Sequence, residues 1–237
     1  MYLIAFNVVS ATGWAVVLVA TLAALATSPP APYTAANAFS TQLASLLPVP
    51  ATYARSWALL APVQSLAALE VLHVLLRLVR SPLPTTFMQV SSRLILVWAI
   101  VARFDSTHAS PIYTTMVLAW SLTEVPRYAY YALPRPPSWL TWLRYSTFYL
   151  LYPLGAGSEA LLALSTISEW QSGWSLEDWL KAAMVLIWIP GTFSYAFPLA
   201  SLISSLGLYV MYTHMIHTRR KVLGPKKAQK LGRAKAN

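Results

Sequence analysis

The chain has 237 residues, of which 57% are hydrophobic and 10% are charged, whereas roughly a quarter of an ordinary soluble domain is charged. This composition excludes a water-soluble globular fold, and the absence of cysteine excludes disulfides, thiolate catalysis and cysteine-ligated metals. The formal net charge is +10, and eight of the 17 basic residues lie between Arg219 and Lys235, a cluster typical of a cytosolic tail beside anionic lipid and not of a folded nucleic-acid-binding domain.

Apolar stretches close to or beyond the roughly 20 residues that a helix needs to cross a bilayer recur along the whole chain. They cover about 3–25, 57–79, 86–103, 112–133, 140–166 and 180–214, separated by proline-rich or polar segments. The first stretch has neither a basic leading region nor a cleavage site, so we expect a retained helix and not a signal peptide. The sequence therefore predicts an all-α bundle of six transmembrane helices over 1–217, followed by a basic cytosolic tail over 218–237.

The distribution of basic residues predicts the orientation of this bundle. With six spans both termini lie on one side, and the basic tail places that side in the cytosol by the positive-inside rule. Thirteen basic residues then face the cytosol, against Arg55, Arg103 and Lys181 on the opposite side, while Arg93 lies inside a span. We expect a multi-pass membrane protein with both termini in the cytosol.

Several ionisable side chains fall inside the predicted spans, where a charge costs several kcal/mol and normally faces a partner or a cavity. They are Glu70, His73 and Arg77 in the second span, Arg93 with Gln89 and Ser92 in the third, and Glu124, Arg127 and Tyr128 in the fourth. We expect the pairs Glu70 with Arg77, and Glu124 with Arg127, to be structural. His73 fits a hydrogen-bonded core histidine. Glu70, His73, Arg93 and Glu124 are thus predicted to form a polar network that fixes helix packing.

The fifth span carries the strongest candidate for a catalytic site. Tyr152 and Glu159 are seven residues apart, two turns along one face, with about 10 Å of axial rise between them in a straight helix. Pro153, Gly155 and Gly157 lie between them and permit a kink or the close approach of a neighbour. Glu159 has no basic residue within two turns of its own helix, and an intramembrane carboxyl without a local partner is a functional candidate. A phenol and a carboxyl facing one substrate can act as general acid and base.

A set of segments distributed in order along nearly the whole chain resembles a known family. The segments are Tyr2-Leu3, Asn7-Val8-Val9 and Gly13-Trp14, then Leu69 to His73, Gln89 to Arg93, Trp120 to Tyr128, Trp142 to Tyr145, and Tyr149 to Glu159. This ordered set resembles the very-long-chain (3R)-3-hydroxyacyl-CoA dehydratases, a six-span family of the endoplasmic reticulum also called protein tyrosine phosphatase-like. Val74 stands where the phosphatase-like stretch has a cysteine, so a cysteine phosphatase mechanism is excluded.

The resemblance implies a hydro-lyase that catalyses the third step of fatty-acid elongation, with Tyr152 and Glu159 as the catalytic pair. Water leaves (3R)-3-hydroxyacyl-CoA to give trans-2-enoyl-CoA, which requires a base for the C2 proton and an acid for the C3 hydroxyl. We favour Glu159 at the hydroxyl and Tyr152 at C2, and the reverse assignment stays open. No metal or other cofactor is expected, and other elongation-cycle membrane enzymes are the expected protein partners.

The CoA head group needs partners on the cytosolic side, where arginine can bind phosphate through two hydrogen bonds. The candidates are Arg127, Arg144, Arg77 and Arg80. The apolar bundle and the bilayer would hold the long acyl chain, and no nucleic acid is expected as a partner.

Two other functions are compatible with parts of the pattern. A small transporter or channel also has intramembrane charges and helices interrupted by proline or glycine, but no pair of corresponding half-repeats is visible. A non-catalytic membrane scaffold is the second alternative, and the presence of both Tyr152 and Glu159 argues against it.

Overall fold

A computed structural model describes residues 1–27, 52–166 and 212–223, and these ranges form helices without a β-strand. The helices are α1 (Tyr2–Thr27), α2 (Tyr53–Leu66), α3 (Ala68–Leu75), α4 (Leu83–Ile95), α5 (Pro111–Ala132), α6 (Ser138–Ser146), α7 (Phe148–Leu164) and α8 (212–223). A π-helical segment, Leu96–Val101, extends α4, and a 3-10 turn, Asp105–Thr107, precedes α5. The all-α class predicted from the sequence is confirmed for the described ranges.

Three of the described helical segments are long and apolar enough to cross a membrane. They are Tyr2–Thr27, Tyr53–Leu75 and Leu83–Val101, and they correspond to the first three predicted spans. The second is α2 followed by α3, and at Ala67 the backbone tightens, with its N–H donating to the carbonyl of Gln64 at 3.1 Å. This segment ends at Leu75 and not at residue 79, because Arg77 adopts a φ of 56° that a helix cannot continue through.

The later predicted spans correspond to the structure less closely. α5 covers the predicted fourth span, whereas the predicted fifth span is divided into α6 and α7 at Thr147. The predicted sixth span, 180–214, lies outside the described residues except for 212–214, which belong to α8. α8 also runs through the predicted boundary between the bundle and the tail, and the tail beyond residue 223 lies outside the described residues.

α5 is the centre of the packing, because α1 and α7 both lie along it. Its buried side chains include Tyr113, Met116 and Trp120, and the Trp120 ring meets that of Trp14 of α1 edge to face at 6.4 Å. Gly13 allows α1 to approach α2 closely, since a Cβ at Gly13 would lie 2.8 Å from a methyl carbon of Val63.

The outside of the structure is apolar and its inside contains charge. Val19 and Leu150 are 65% and 72% exposed, while Glu124 and Glu159 are each 3% exposed. Lipid-facing helices have this arrangement, since outward apolar side chains meet acyl chains and ionisable groups turn inward to one another. The fold is that of a helical membrane protein.

Candidate active site

Glu159 lies on α7 against the centre of α5. Gly155, one turn earlier on α7, has its Cα beside Trp120, where a Cβ would meet the indole Cδ1 at an ordinary 3.7 Å. With no larger side chain at Gly155, the indole Nε1 donates a 2.8 Å hydrogen bond to Oε1 of Glu159. The other carboxyl oxygen, Oε2, is buried and has no hydrogen-bond partner within the described residues. One oxygen is therefore held and the other is available.

Tyr152 lies two turns before Glu159 on the same face of α7 and is half-buried. Its ring is 6.3 Å from that of Tyr212 of α8, with a tilt of 33° between them. Of the two glycines between Tyr152 and Glu159, Gly155 lies beside α5, where an added Cβ would make ordinary contacts from 3.6 Å, whereas a Cβ at Gly157 would meet nothing within 4 Å.

An ion-pair network of one buried and three half-buried side chains extends from Glu159 toward the C-terminal end of α5. Glu124 accepts hydrogen bonds from Arg93 of α4 and from Nε of Arg127. Arg127 also binds Glu70 of α3 through both terminal nitrogens, at 2.7 and 3.1 Å, and Glu70 accepts a further hydrogen bond from the Tyr128 hydroxyl. Two arginines and two glutamates thus balance in charge and connect three helices. Buried charges are tolerated in this form because each guanidinium meets a carboxylate.

One expected pairing is wrong. Glu124 pairs with Arg127 as expected, but within the described residues Glu70 pairs with Arg127 and Tyr128 and not with Arg77. The physical reason is the end of α3 at Leu75: the i, i+7 spacing holds only within a continuous helix. Arg77, with its positive φ, is exposed on the following turn.

His73 lies at the same end of the bundle as Glu70 and is 4% exposed. The Tyr2 hydroxyl is 2.8 Å from its Nε2, and the Phe6 ring meets the imidazole edge to face at 4.7 Å. These contacts attach α1 to α3 next to the ion-pair network.

Trp120 connects the ion-pair network to Glu159. The Arg93 guanidinium lies 4.9 Å from the centroid of the Trp120 ring, in cation–π geometry, while its nitrogen binds Glu124. Sequence reasoning did not single out Trp120 as a site residue. A signal was present, because Trp120, Glu124 and Tyr128 are spaced i, i+4, i+8 and share one face of α5.

The four candidate CoA-binding arginines have different surroundings. Arg127 is engaged by two carboxylates, and Arg77 and Arg80 are exposed after α3. The Arg144 guanidinium lies 5.7 and 5.4 Å from the rings of Tyr131 and Tyr145, and its buried Nε has no hydrogen-bond partner within the described ranges.

The last described helix, α8, adds a basic residue that the sequence did not place at the site. Arg219 donates from Nε to the Ser146 hydroxyl at 3.2 Å, and its guanidinium lies 5.4 Å from the Tyr149 ring. α8 therefore packs beside the beginning of α7, at the end nearer Tyr152.

These features define a class of protein: a helical membrane protein with a buried carboxyl, a phenol on the same helix face, and a paired network beside them. The described residues contain no group of three or more His, Cys, Asp or Glu side chains arranged to hold a metal ion. The Glu159 carboxyl and the Tyr152 phenol are of the side-chain types that act as general acids and bases.

A protein-family model described as "Protein tyrosine phosphatase-like protein, PTPLA" matches residues 64–225 of the chain. This range includes every residue of the site except those of α1. The chain belongs to this family. No solved structure matches the chain.

Curated relatives carry a more specific name. A "Probable very-long-chain (3R)-3-hydroxyacyl-CoA dehydratase" of Schizosaccharomyces pombe is 46% identical over 164 residues, which is 68% of this chain and 71% of the relative. A very-long-chain (3R)-3-hydroxyacyl-CoA dehydratase of Caenorhabditis elegans is 34% identical over 229 residues, or 94% of each chain. One from Oryza sativa is 39% identical over 177 residues, 70% of this chain and 75% of the relative.

Proposed function

We propose that this protein removes water from very-long-chain (3R)-3-hydroxyacyl-CoA to give trans-2-enoyl-CoA, as the third step of fatty-acid elongation. The chain is a hydro-lyase, because its relatives are named dehydratases and a dehydratase is a hydro-lyase. The observation that carries the mechanism is the buried Glu159 carboxyl, which has one oxygen without a partner among the described residues and shares a face of α7 with Tyr152.

The two side chains supply both proton transfers of the elimination. The C2–H bond breaks as a base takes its proton, the C3–O bond breaks as an acid protonates the hydroxyl, and the C2=C3 double bond forms as water leaves. In the assignment that we favour, Glu159 protonates the hydroxyl and Tyr152 accepts the C2 proton. The reverse assignment balances equally, since one group donates and the other accepts a single proton in each case.

The arrangement along α7 supports a reaction site below the cytosolic surface. α7 begins at Phe148, so Tyr152 lies about 6 Å and Glu159 about 16 Å along its axis at 1.5 Å per residue. We assign the CoA phosphates to Arg144 first, because its Nε is buried without a partner among the described residues, and to Arg77 and Arg80 at the exposed turn. Arg127, which binds two glutamates, is assigned to the network instead.

The proposal includes the arrangement in the membrane. Six spans cover 1–217, and both termini lie in the cytosol. The protein resides in the endoplasmic reticulum membrane with other elongation-cycle enzymes. Its support is the three span-length helices and the bias of basic residues toward one side. Protease added outside sealed microsomes is expected to remove a tag placed after Asn237. A protected tag would reverse the assigned orientation.

The activity itself is tested with purified protein in lipid nanodiscs and a long-chain (3R)-3-hydroxyacyl-CoA. We expect trans-2-enoyl-CoA to accumulate, as detected by mass spectrometry. The (3S) epimer is the control substrate. Folded protein that forms no enoyl product from the (3R) epimer would refute the proposed function.

A further inference from the structure

We propose that Trp120 is a positioning residue for the dehydration: its indole N–H holds Oε1 of Glu159, so that Oε2 is the oxygen that meets the substrate. The inference rests on the proposed function and identifies which atom of the carboxyl reacts. Nothing in the sequence pattern distinguishes the two oxygens of Glu159, and only the contact between α5 and α7 does so.

The first step is the geometry of the hydrogen bond. Trp120 is 1% and Glu159 is 3% exposed, so water cannot replace the 2.8 Å bond between the indole Nε1 and Oε1. An indole N–H donates and never accepts, and its direction is set by the ring. Oε1 must therefore be an acceptor in this contact. The carbonyl oxygen of a protonated carboxyl is the stronger acceptor, so this contact favours a proton on Oε2, the oxygen without a partner among the described residues.

The second step is the rigidity of the indole. The Trp120 ring meets the Trp14 ring edge to face at 6.4 Å and the Arg93 guanidinium at 4.9 Å, and it lies beside Gly155 of α7, where an added Cβ would be 3.7 Å from the indole Cδ1. Three different helices thus hold the ring in place. A donor fixed in this way holds the carboxyl in one orientation before the substrate arrives, which is what positioned catalytic groups require.

The third step concerns Arg93, the nearby cation that could otherwise occupy Oε2. Arg93 donates to Glu124, and its guanidinium lies over the Trp120 ring. Glu124 and Trp120 together keep this guanidinium directed away from a bidentate pair with Glu159. Oε2 is consequently left for the hydroxyl or proton of the substrate.

The test is Trp120→Phe, which keeps an aromatic ring and removes the N–H. We expect kcat to fall about 10- to 100-fold, because a small misplacement of a catalytic group has a cost of this order. KM is expected to stay within about twofold, because Trp120 lies away from the CoA end. The matched control is Trp98→Phe, which removes an indole N–H hydrogen bond to Ser65 (3.1 Å) on the exposed outer face and should leave kcat unchanged.

A double-variant experiment separates positioning from a general effect on packing. If Trp120 acts through Glu159, Trp120→Phe should cause little further loss in a Glu159→Gln background, measured by single-turnover formation of enoyl-CoA. Equal losses in the two backgrounds would overturn the proposal. An unchanged kcat for Trp120→Phe in the otherwise native enzyme would overturn it as well.

A further substitution covers the case in which Trp120→Phe fails to fold. Replacing Trp120 by 3-benzothienylalanine keeps the shape of the bicyclic ring and exchanges only the N–H for sulfur. The same fall in kcat is expected, and full activity would overturn the role of the N–H. An inactive native protein would instead refute the proposed function, so the two failures are distinguishable.

Discussion

Removal of the Glu124 carboxylate tests whether the buried ion pairs hold the helices together. In Glu124→Gln, Arg127 keeps its two hydrogen bonds to Glu70, whereas Arg93 loses the carboxylate that it binds. Removing one member of a buried pair typically costs about 3–5 kcal/mol, because the other charge loses its compensation in an apolar environment. For a chain of this length each kcal/mol corresponds to a shift of about 2–4 °C in Tm, so we expect the Tm to fall by roughly 6–20 °C.

The assay is intrinsic-fluorescence melting in one detergent at a fixed scan rate, where the unfolding temperature of the variant is compared with that of the native chain. The charge-balanced variant Arg93→Leu with Glu124→Leu is the control, since replacing both partners by apolar residues is often close to neutral. We expect this double variant to be more stable than Glu124→Gln. A Tm for Glu124→Gln within about 1 °C of the native value would show that the network does not stabilise the bundle.

The remaining predictions concern catalysis, substrate binding and helix packing. Tyr152→Phe and Glu159→Gln should each lower turnover at least 10²-fold in an enoyl-CoA assay while the melting temperature stays near the native value, and normal turnover in either would exclude that residue from the catalytic pair. Arg144→Ala should raise KM for acyl-CoA more than it lowers kcat, because contacts to distant phosphates provide mainly uniform binding, and a collapsed kcat with unchanged KM would assign it to catalysis. Gly13→Ala should destabilise the fold by about 1–3 kcal/mol, because its Cβ would lie 2.8 Å from an α2 side chain. Gly157→Ala, whose Cβ meets nothing within 4 Å, should be neutral or slightly stabilising in the same melting experiment.

The apolar stretches of the sequence were enough to locate the first three spans. Spans predicted at about 3–25 and 86–103 correspond to segments Tyr2–Thr27 and Leu83–Val101, because a run long enough to cross a bilayer must satisfy its backbone hydrogen bonds within itself. Helix ends were predicted less well. The turn at Arg77 depends on one backbone angle, and the spacing of apolar residues in the sequence does not predict that angle.

The site was predicted only at the level of helix faces. Helical spacing placed Tyr152 and Glu159 on one face of α7, and Glu124 with Arg127 on one face of α5, because these relationships lie within single helices. The choice of partner between helices has no such signal in a single chain. The side chains of Arg127 on α5 and Glu70 on α3 meet only in the folded bundle, and this depends on the packing of several helices at once.

The sequence by itself determined that the protein is apolar outside, helical and equipped with a carboxyl and a phenol on one helix face, since composition and periodicity act locally along the chain. Only the tertiary structure decided that Trp120 holds one oxygen of Glu159 and that Arg93 binds Glu124, leaving the other oxygen without a described partner. The physical reason is that these contacts join α4, α5 and α7. The two oxygens of one carboxyl are chemically equivalent, and they differ only in the groups that pack against them.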